Sequence, residues 1–424
     1  MKKHIELEQQ RKETNHLIKN YGIITTNNVW MMLCAALVFF MHLGFSFLEI
    51  GLTRQKNTIN ILFKNFFIIT MGIIVYCLIG FNLMYPGNFN IIGNGILGFA
   101  GLGLDSTAAA NLAYNEGYTY WTDFLFQAMF AATAGTIISG AVAERIKINS
   151  FMLIVFIYVG LVYPIVGSWQ WGSGFLYSLG FYDFAGSTLV HSVGGWGALI
   201  IIYFLGARKG KFDSNGNTIA IPGSNIPLSA AGVLILWLGW FGFNGGSVLS
   251  ADPANTSLVL VTTCLAAAAG GIGAAFFSNL LYKNLDITMF MNGILGGLVG
   301  ITAGADQMGP TEAIIIGAVG GLIVVLGVAL LDKCKLDDPV GAIPVHLFAG
   351  IWGTLAVGIF GDSASFDQFM IQLASLGIVG LFCVFGATLI TLFVKSTLGL
   401  RVSEQEEEAG LDIAEHGTKA YFSS

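Results

Sequence analysis

Eleven stretches of about 20 apolar residues follow one another along this chain of 424 residues. A helix needs roughly 20 apolar residues to cross the hydrocarbon core of a bilayer, and only helices and closed barrels can satisfy their backbone polar groups there. The stretches lie at 29–48, 61–84, 124–143, 150–169, 184–206, 226–248, 257–282, 288–304, 311–331, 342–360 and 370–394. The sequence therefore predicts an all-α integral membrane protein with eleven transmembrane helices.

The composition excludes an ordinary soluble domain. Apolar residues make up 55% of the chain and charged residues only 10%, whereas soluble domains carry about 25% charged residues. The 56 glycines suit helices that pack closely in lipid. The five scattered cysteines have no disulfide or metal spacing. Because no nucleophile constellation or phosphate-binding loop is present either, we expect no enzyme activity, no cofactor or metal, and no nucleic-acid partner.

Lysine and arginine are segregated between the two sides of the predicted bundle. Basic residues occur in the odd-numbered loops and in the tail but not in the even-numbered loops. Because cytoplasmic loops are enriched in Lys and Arg, we expect the odd-numbered loops and the C-terminus in the cytoplasm and the N-terminus outside. Residues 1–28, which hold five further basic residues, are predicted to form a polar N-terminal extension.

Two histidines occupy corresponding places in the fifth and tenth predicted helices. Asp183 precedes His191 by eight residues, and Asp338 precedes His346 by the same interval. Eight helical residues place His191 about 12 Å inside the membrane, where an ionisable side chain is costly and marks a transport path or a partner. Asp183 suits a helix N-cap. Because the two helices run in opposite directions, we interpret the repeated acid as partly coincidental.

The number of helices predicts internal symmetry. The first ten helices form two sets of five, at about 29–206 and 226–360, and an odd number of helices inverts the second set relative to the first. Inverted repeats often place a transport site at their midplane interface. We therefore predict two inverted five-helix repeats plus an extra C-terminal helix, with both histidines meeting at the centre. The transporter domain is predicted at 29–394 and a cytoplasmic regulatory tail at 395–424.

Other polar and aromatic residues receive structural interpretations from the residues alone. Glu49, near the end of the first span, is interpreted as a helix-end group that reaches the interface rather than as a transport residue. Phe126 and Phe130 are four residues apart and share a helix face, which favours packing. Trp171 follows the fourth span, and tryptophan is typical of the membrane interface.

Several motifs resemble the ammonium transporter (Amt) branch of the Amt/Rh family, over nearly all of the chain beyond residue 29. The matching stretches are GAVAER at 140–145, DFAGSTLVH at 183–191, GWFGFNGGS at 239–247, DDPVGAIPVH at 337–346, GLRVS at 399–403 and GLD at 410–412. Together these motifs are highly specific. The resemblance implies a homotrimer of eleven-helix subunits, each with its own narrow pore.

The resemblance also assigns roles to individual side chains. The implied residues are Trp171, Ser247 and Phe126 at an external ammonium recruitment site, Phe130 and Phe243 at a stacked phenylalanine gate, His191 and His346 as the paired histidines of the pore, and Asp183 as the acid near the outer vestibule. Rh-type relatives usually lack the pair formed by Trp171 and Ser247.

These residues imply an ammonium transporter that recruits the ion outside, deprotonates it and conducts ammonia through an apolar pore, with or without a proton. Two alternatives stay open. One is an ammonium sensor that acts through a separate partner, and the other is an electroneutral ammonia channel, against which Trp171 and Ser247 argue. We expect the plasma (inner) membrane of a bacterium as the location and a PII-type signalling protein as a partner at the cytoplasmic face.

Overall fold

Helices make up the computed structural model, which describes residues 2–107, 114, 115 and 117–421, with side chains from residue 20 onward. Within those residues, nine helices are long and apolar enough to cross a membrane, and two shorter apolar helices accompany them. They are α1 (Lys2–Leu52), α2 (Gln55–Met84), α3 (Tyr120–Ala141), α4 (Ile148–Ser178, with a turn at 171–174), α5 (Ser187–Leu205), α6 (Ile226–Gly246), α7 (Pro253–Tyr282), α8 (Ile287–Ile301), α9 (Pro310–Lys333), α10 (Ile343–Ala356) and α11 (Phe366–Thr397). The prediction of an eleven-helix membrane protein is confirmed.

The first helix is longer than its predicted span. Its membrane-spanning part is Asn20–Leu52, and residues 2–28 of the predicted polar extension continue the same helix. The side chains of residues 2–19, together with Met1, lie outside the described residues, as do residues 422–424 of the predicted tail.

Helices α1 and α6, the first members of the two predicted repeats, pack closely against each other. A Cβ atom at Gly232 of α6 would stand 2.6 Å from the main-chain oxygen of Gly44, and a Cβ atom at Gly44 of α1 would stand 2.9 Å from that of Gly232. Both contacts are shorter than any side chain tolerates, so glycine lets the two backbones touch. This pairing of equivalent helices fits the predicted inverted repeats.

The basic loops meet on one side of the bundle, which we call the basic face. Arg54, after α1, pairs with Glu144, after α3, at 2.8 Å. Glu144 also pairs with Arg208, after α5, at 3.0 Å, and Arg208 pairs with Asp337, before α10, at 2.8 Å. Three odd-numbered loops and the start of α10 therefore lie together, as their shared basic character predicts.

Electrostatics favours the charged forms in this network. Burial alone would raise the pKa of Asp337, but hydrogen bonds from Arg208 and the charge of Arg145 outweigh burial and hold that pKa well below its ordinary value. Burial likewise opposes the charge of Glu144, yet Arg208 and Arg54 lower the pKa of its carboxyl. Both carboxylates are therefore ionised at neutral pH.

The tail folds back onto the basic face through two short helices, α12 (Glu404–Ala409) and α13 (Leu411–His416). Glu407 accepts a hydrogen bond from Arg401 at 2.6 Å, and Lys56 donates to the main-chain oxygen of Glu407 at 2.7 Å. The main-chain N–H of Asn60 donates to Asp412 at 3.0 Å. The tail is thus a folded segment docked on the loops of its own chain.

Candidate functional site

The two histidines predicted to line a pore lie in π-helical turns in the interior of the protein. His191 belongs to the segment Ser187–Ser192 and His346 to the segment Ile343–Phe348. The N–H of His191 donates to the carbonyl oxygen of Gly186, five residues earlier, at 2.9 Å. Such turns are rare and frequently occur at functional sites, because the extra residue moves a side chain out of the ordinary helical register.

His191 and His346 meet, as predicted. Their Nδ1 atoms are 3.2 Å apart, and the ring planes differ by only 21°. Both side chains are buried, with 0% and 4% of their surface exposed. An N···N contact at this distance needs one ring as donor and the other as acceptor, so the pair shares one proton across the contact. The Nε2 atom of His191 has no hydrogen-bond partner among the residues that the structure describes.

Aromatic rings close the path on the side of His191. Phe130 and Phe243 stack with centroids 4.0 Å apart and an interplanar angle of 20°, and Phe243 lies 5.2 Å from the ring of His191. Trp240 stacks on the same imidazole at 5.2 Å. Sequence reasoning missed Trp240, although its position three residues before Phe243 places both rings on one helix face.

A cavity of about 150 Å³ lies beyond this stack, on the side opposite the basic face. Its lining residues are Tyr85, Tyr118, Phe126, Gln127, Phe130, Trp171, Phe184, Ser247 and Leu249. The structure therefore brings together the three residues implied for ammonium recruitment and one ring of the implied gate. Gln127 was missed, and its polar side chain within an apolar helix was the signal that could have revealed it.

The polar groups of this cavity are oriented by main-chain oxygens. The indole N–H of Trp171 donates to the carbonyl oxygen of Asp183 at 3.0 Å. The hydroxyl of Ser247 donates to the carbonyl oxygen of Phe243 at 2.8 Å, so its own lone pairs are free to accept from a ligand. The described lining of the cavity thus offers an aromatic surface and a hydrogen-bond acceptor and includes no cationic side chain.

Residues 29–421 match the Ammonium Transporter Family. This protein belongs to that family. It is 45% identical over 420 residues to a putative ammonium transporter of Synechocystis sp., covering 96% of this chain and 92% of the relative. It is 40% identical over 423 residues to the ammonium transporter Amt2 of Archaeoglobus fulgidus, covering 93% and 87%.

Solved structures share the fold of this family member. A structure described as a sensor Amt protein has a TM-score of 0.86 and 35% identity, covering 92% of this chain and 98% of that chain. Candida albicans Mep2 has a TM-score of 0.81 at 26% identity, covering 91% and 88%. Family membership makes this chain a transport protein rather than an enzyme.

Asp183 organises the start of α5 in this ammonium transporter family member. Its buried carboxylate accepts four main-chain N–H groups, those of Gly186, Ser187, Thr188 and Leu189, at 2.8–3.0 Å. Burial raises the pKa of Asp183 to about 6, against the opposing effect of these hydrogen bonds. The geometry fits the predicted capping role. Since its carbonyl also anchors Trp171, Asp183 positions the indole as well.

Asp338 does the same at the start of α10. Its carboxylate accepts the N–H groups of Gly341 at 3.1 Å and Ile343 at 2.7 Å. The interpretation of the repeated acid as partly coincidental is therefore wrong. Asp183 and Asp338 lie on opposite sides of the bundle, as an inverted repeat predicts, and each acid caps the turn that carries a histidine.

A second, smaller cavity of about 20 Å³ borders His346 on the side of the basic face. Glu49 and Thr136 line it. Glu49 lies in the last turn of α1, as its helix-end interpretation predicts, but the expectation that it reaches the interface is wrong, because only 2% of this residue is exposed. The hydroxyl of Ser139 donates to Glu49 Oε2 at 2.8 Å. A buried carboxylate therefore stands beside the cavity that borders His346.

Proposed function

We propose that this family member transports ammonium by recruiting the ion at Trp171 and Ser247, deprotonating it, and conducting ammonia past His191 and His346. The observation that carries the proposal is the unbroken column of rings that leads from the outer cavity to the histidine pair. Phe130 and Phe243 lie between the outer cavity and the histidine pair.

Recruitment rests on two complementary interactions. An ammonium ion over the indole of Trp171 gains a cation–π attraction of about 1–2 kcal/mol when partly desolvated. The hydroxyl oxygen of Ser247 can accept one of its N–H groups, and Phe126 completes the apolar wall. Potassium has a similar size but no protons to donate, so a directional acceptor discriminates against it.

Conduction requires a change of protonation state. Moving an intact ion through a pore lined by aromatic rings is expensive, whereas ammonia is neutral. His191 and His346 present a donor and an acceptor where the path narrows, and imidazole is suited to proton transfer near neutral pH. Ammonia can therefore pass along the pair by exchanging hydrogen bonds. Net movement of ammonia alone and of ammonia with a proton both fit this scheme.

The test is a current recorded from purified protein in liposomes after an ammonium pulse. We expect a sustained, pH-dependent current from the parent and none from protein-free liposomes. A potassium pulse of equal concentration serves as the selectivity control. Ammonia flux that alters the lumenal pH without any current would instead assign the protein to the electroneutral channels.

A sensor function is the second candidate, because a solved structure at 35% identity is described as a sensor Amt protein. A sensor would bind ammonium and report the binding through a separate partner. The same liposomes distinguish the two functions, since a sensor would show saturable ammonium binding by calorimetry but neither current nor ammonia flux.

Assembly and location complete the proposal. We infer a homotrimer in a bacterial plasma membrane, with the basic face and the tail in the cytoplasm and the N-terminus outside. The tail, residues 395–424, is the proposed regulatory segment. It would reach neighbouring subunits and a PII-type protein, and it follows the proposed transporter domain at 29–394. Native mass spectrometry should find three copies of the 45.2 kDa chain. Protease added to the basic side of oriented vesicles should remove the tail.

A further inference from the structure

The inner end of the pore column contains a carboxylate that the proposed function does not use. Glu49 on α1 is 2% exposed and lines the cavity of about 20 Å³ that borders His346. A cavity holds a water molecule once its volume exceeds roughly 10–15 Å³. This cavity therefore has room for one molecule of the size of water, and ammonia and ammonium are of that size.

One oxygen of this carboxylate is unengaged. Ser139 donates to Oε2 at 2.8 Å, whereas Oε1 is buried without a hydrogen-bond partner at bonding distance among the described residues. The amide of Asn65 lies close to this carboxylate and donates to the carbonyl oxygen of Ile61 at 3.0 Å. Buried polar atoms are almost always satisfied, so a free carboxylate oxygen beside a one-molecule cavity indicates a ligand that donates a hydrogen bond.

The other polar side chains of the cavity also make contacts elsewhere. The hydroxyl of Thr136 lies 3.2 Å from both the Ala132 carbonyl oxygen and His42 Nδ1. The amide nitrogen of Asn292 donates to the carbonyl oxygen of Val340 at 3.0 Å, and His346 Nδ1 contacts His191. Of the described lining residues, Glu49 alone carries a carboxyl group, which can both bind an entering molecule and transfer a proton to it.

Charged and titratable groups approach Glu49 from each neighbouring helix. Lys64 on α2 lies behind it and donates to the carbonyl oxygen of Ser139 at 2.8 Å, and the charges of Glu144 and Arg145 after α3 act on Lys64. His346 on α10 borders the same cavity, and His42 on α1 reaches it through Thr136. The nearby lysine competes with any cation for the carboxylate. Ammonium would consequently be held weakly enough to leave.

We propose that Glu49 returns a proton to ammonia as it leaves the histidine pair and holds the resulting ammonium ion until release. This inference rests on the proposed transport function. The lone pair of the ammonia nitrogen takes the proton from the neutral Glu49 carboxyl, whose O–H electrons stay on Oε1. The products are ammonium and the Glu49 carboxylate. A hydronium ion from the basic face then restores the carboxyl.

The test is the rate of ammonium transport in proteoliposomes for the parent and for Glu49→Gln. The amide keeps the size of the side chain and its acceptor for Ser139 but cannot supply the proton. We expect the maximal rate to fall at least tenfold while the half-saturating ammonium concentration stays within twofold, because the outer cavity is intact. Glu312→Gln, which removes a carboxylate near the opposite face, should keep the parent rate.

A double variant separates proton transfer from charge balance. If Glu49 only neutralises Lys64, then Glu49→Gln combined with Lys64→Met should restore the parent rate, and that result overturns the inference. A double variant as slow as Glu49→Gln supports it. The double variant also leaves no unpaired buried charge, so it decides the matter should the single variant fail to fold.

The proposed function and the proposed role of Glu49 are contradicted by different results. A parent protein without ammonium flux contradicts the proposed function itself. A parent with flux and a Glu49→Gln variant of equal maximal rate leaves the transport function standing and overturns only the role of Glu49.

Discussion

The starts of α5 and α10 use the same local device in two environments. In each, an aspartate caps a turn and a histidine follows eight residues later. Asp183 is fully buried and accepts four N–H groups, whereas Asp338 is half-buried and accepts two from the residues after it. The two repeats therefore share the capping interaction, but the burial of the capping aspartate differs between them.

The surroundings of the two histidines differ as well. His191 is packed against Phe243 and Trp240 and has no exposed surface, whereas His346 borders a small cavity shared with Glu49. An inverted repeat can thus build a path with unlike ends. Aromatic rings surround one histidine, and a small, mostly apolar cavity that contains one carboxylate adjoins the other. The following predictions test this contrast, from the largest expected effect to the smallest.

Replacing the two capping acids should reveal the largest difference in stability between the starts of α5 and α10. Asp183→Ala leaves four buried N–H groups without an acceptor, and each such group costs about 1–3 kcal/mol. Asp338→Ala leaves two, in a half-buried site. We expect Asp183→Ala to lower the melting temperature in detergent much more than Asp338→Ala and to abolish transport through displacement of Trp171. Equal thermal shifts would show that the environments are energetically alike.

Replacing the histidines one at a time tests the pore pair. We expect His191→Ala and His346→Ala each to change the ammonium-evoked current or its selectivity, on the order of tenfold, while the protein still elutes as a single species. Tenfold corresponds to about 1.4 kcal/mol, the scale of one hydrogen bond. Currents indistinguishable from the parent in both variants would remove the histidines from the mechanism.

Trp171→Leu tests the aromatic end of the column alone. Loss of a cation–π interaction of about 1–2 kcal/mol predicts a half-saturating ammonium concentration about 5–30-fold higher. Trp352→Leu is the matched control, because that indole donates to the carbonyl oxygen of Ile316 at 3.0 Å and does not line the outer cavity. An unchanged value for Trp171→Leu would count against the recruitment site.

The pH dependence of stability should distinguish Asp183 from Asp337, the residue next to the second cap. Burial raises the pKa of Asp183 to about 6, above the value of about 3.9 in an unfolded chain. As the pH falls, Asp183 therefore takes up its proton at a higher pH in the folded protein than in the unfolded chain. The parent should therefore gain stability relative to Asp183→Asn as the pH falls from 7 to 5.

Asp337 should behave in the opposite sense. Despite burial, the hydrogen bonds of Arg208 hold its pKa far below the unfolded value. Its stabilising contribution is then complete above about pH 4 and declines as the pH falls further. Melting temperatures of the parent, Asp183→Asn and Asp337→Asn between pH 3.5 and 7.5, roughly, measure both signs. Parallel curves for all three proteins would contradict both assignments.

The sequence predicted the helices well but not where some of them begin. Hydropathy counts apolar side chains, and the stretch 184–206 is predominantly apolar from its first residue. In the structure this helix begins only at Ser187, because the carboxylate of Asp183 accepts the N–H groups of residues 186–189. Hydropathy does not register this substitution of a side-chain acceptor for a backbone one.

The sequence by itself determined the membrane fold, the shared side of the basic loops and the two histidines, since length, apolarity and charge are properties of local residues. Only the tertiary structure decided that the two imidazoles contact each other through their Nδ1 atoms at 3.2 Å, that Trp240 stacks on one of them and that Glu49 is buried beside a cavity. These facts depend on how helices cross and rotate against one another. Helix packing sets such distances through the shapes of many side chains at once, and no local pattern records them.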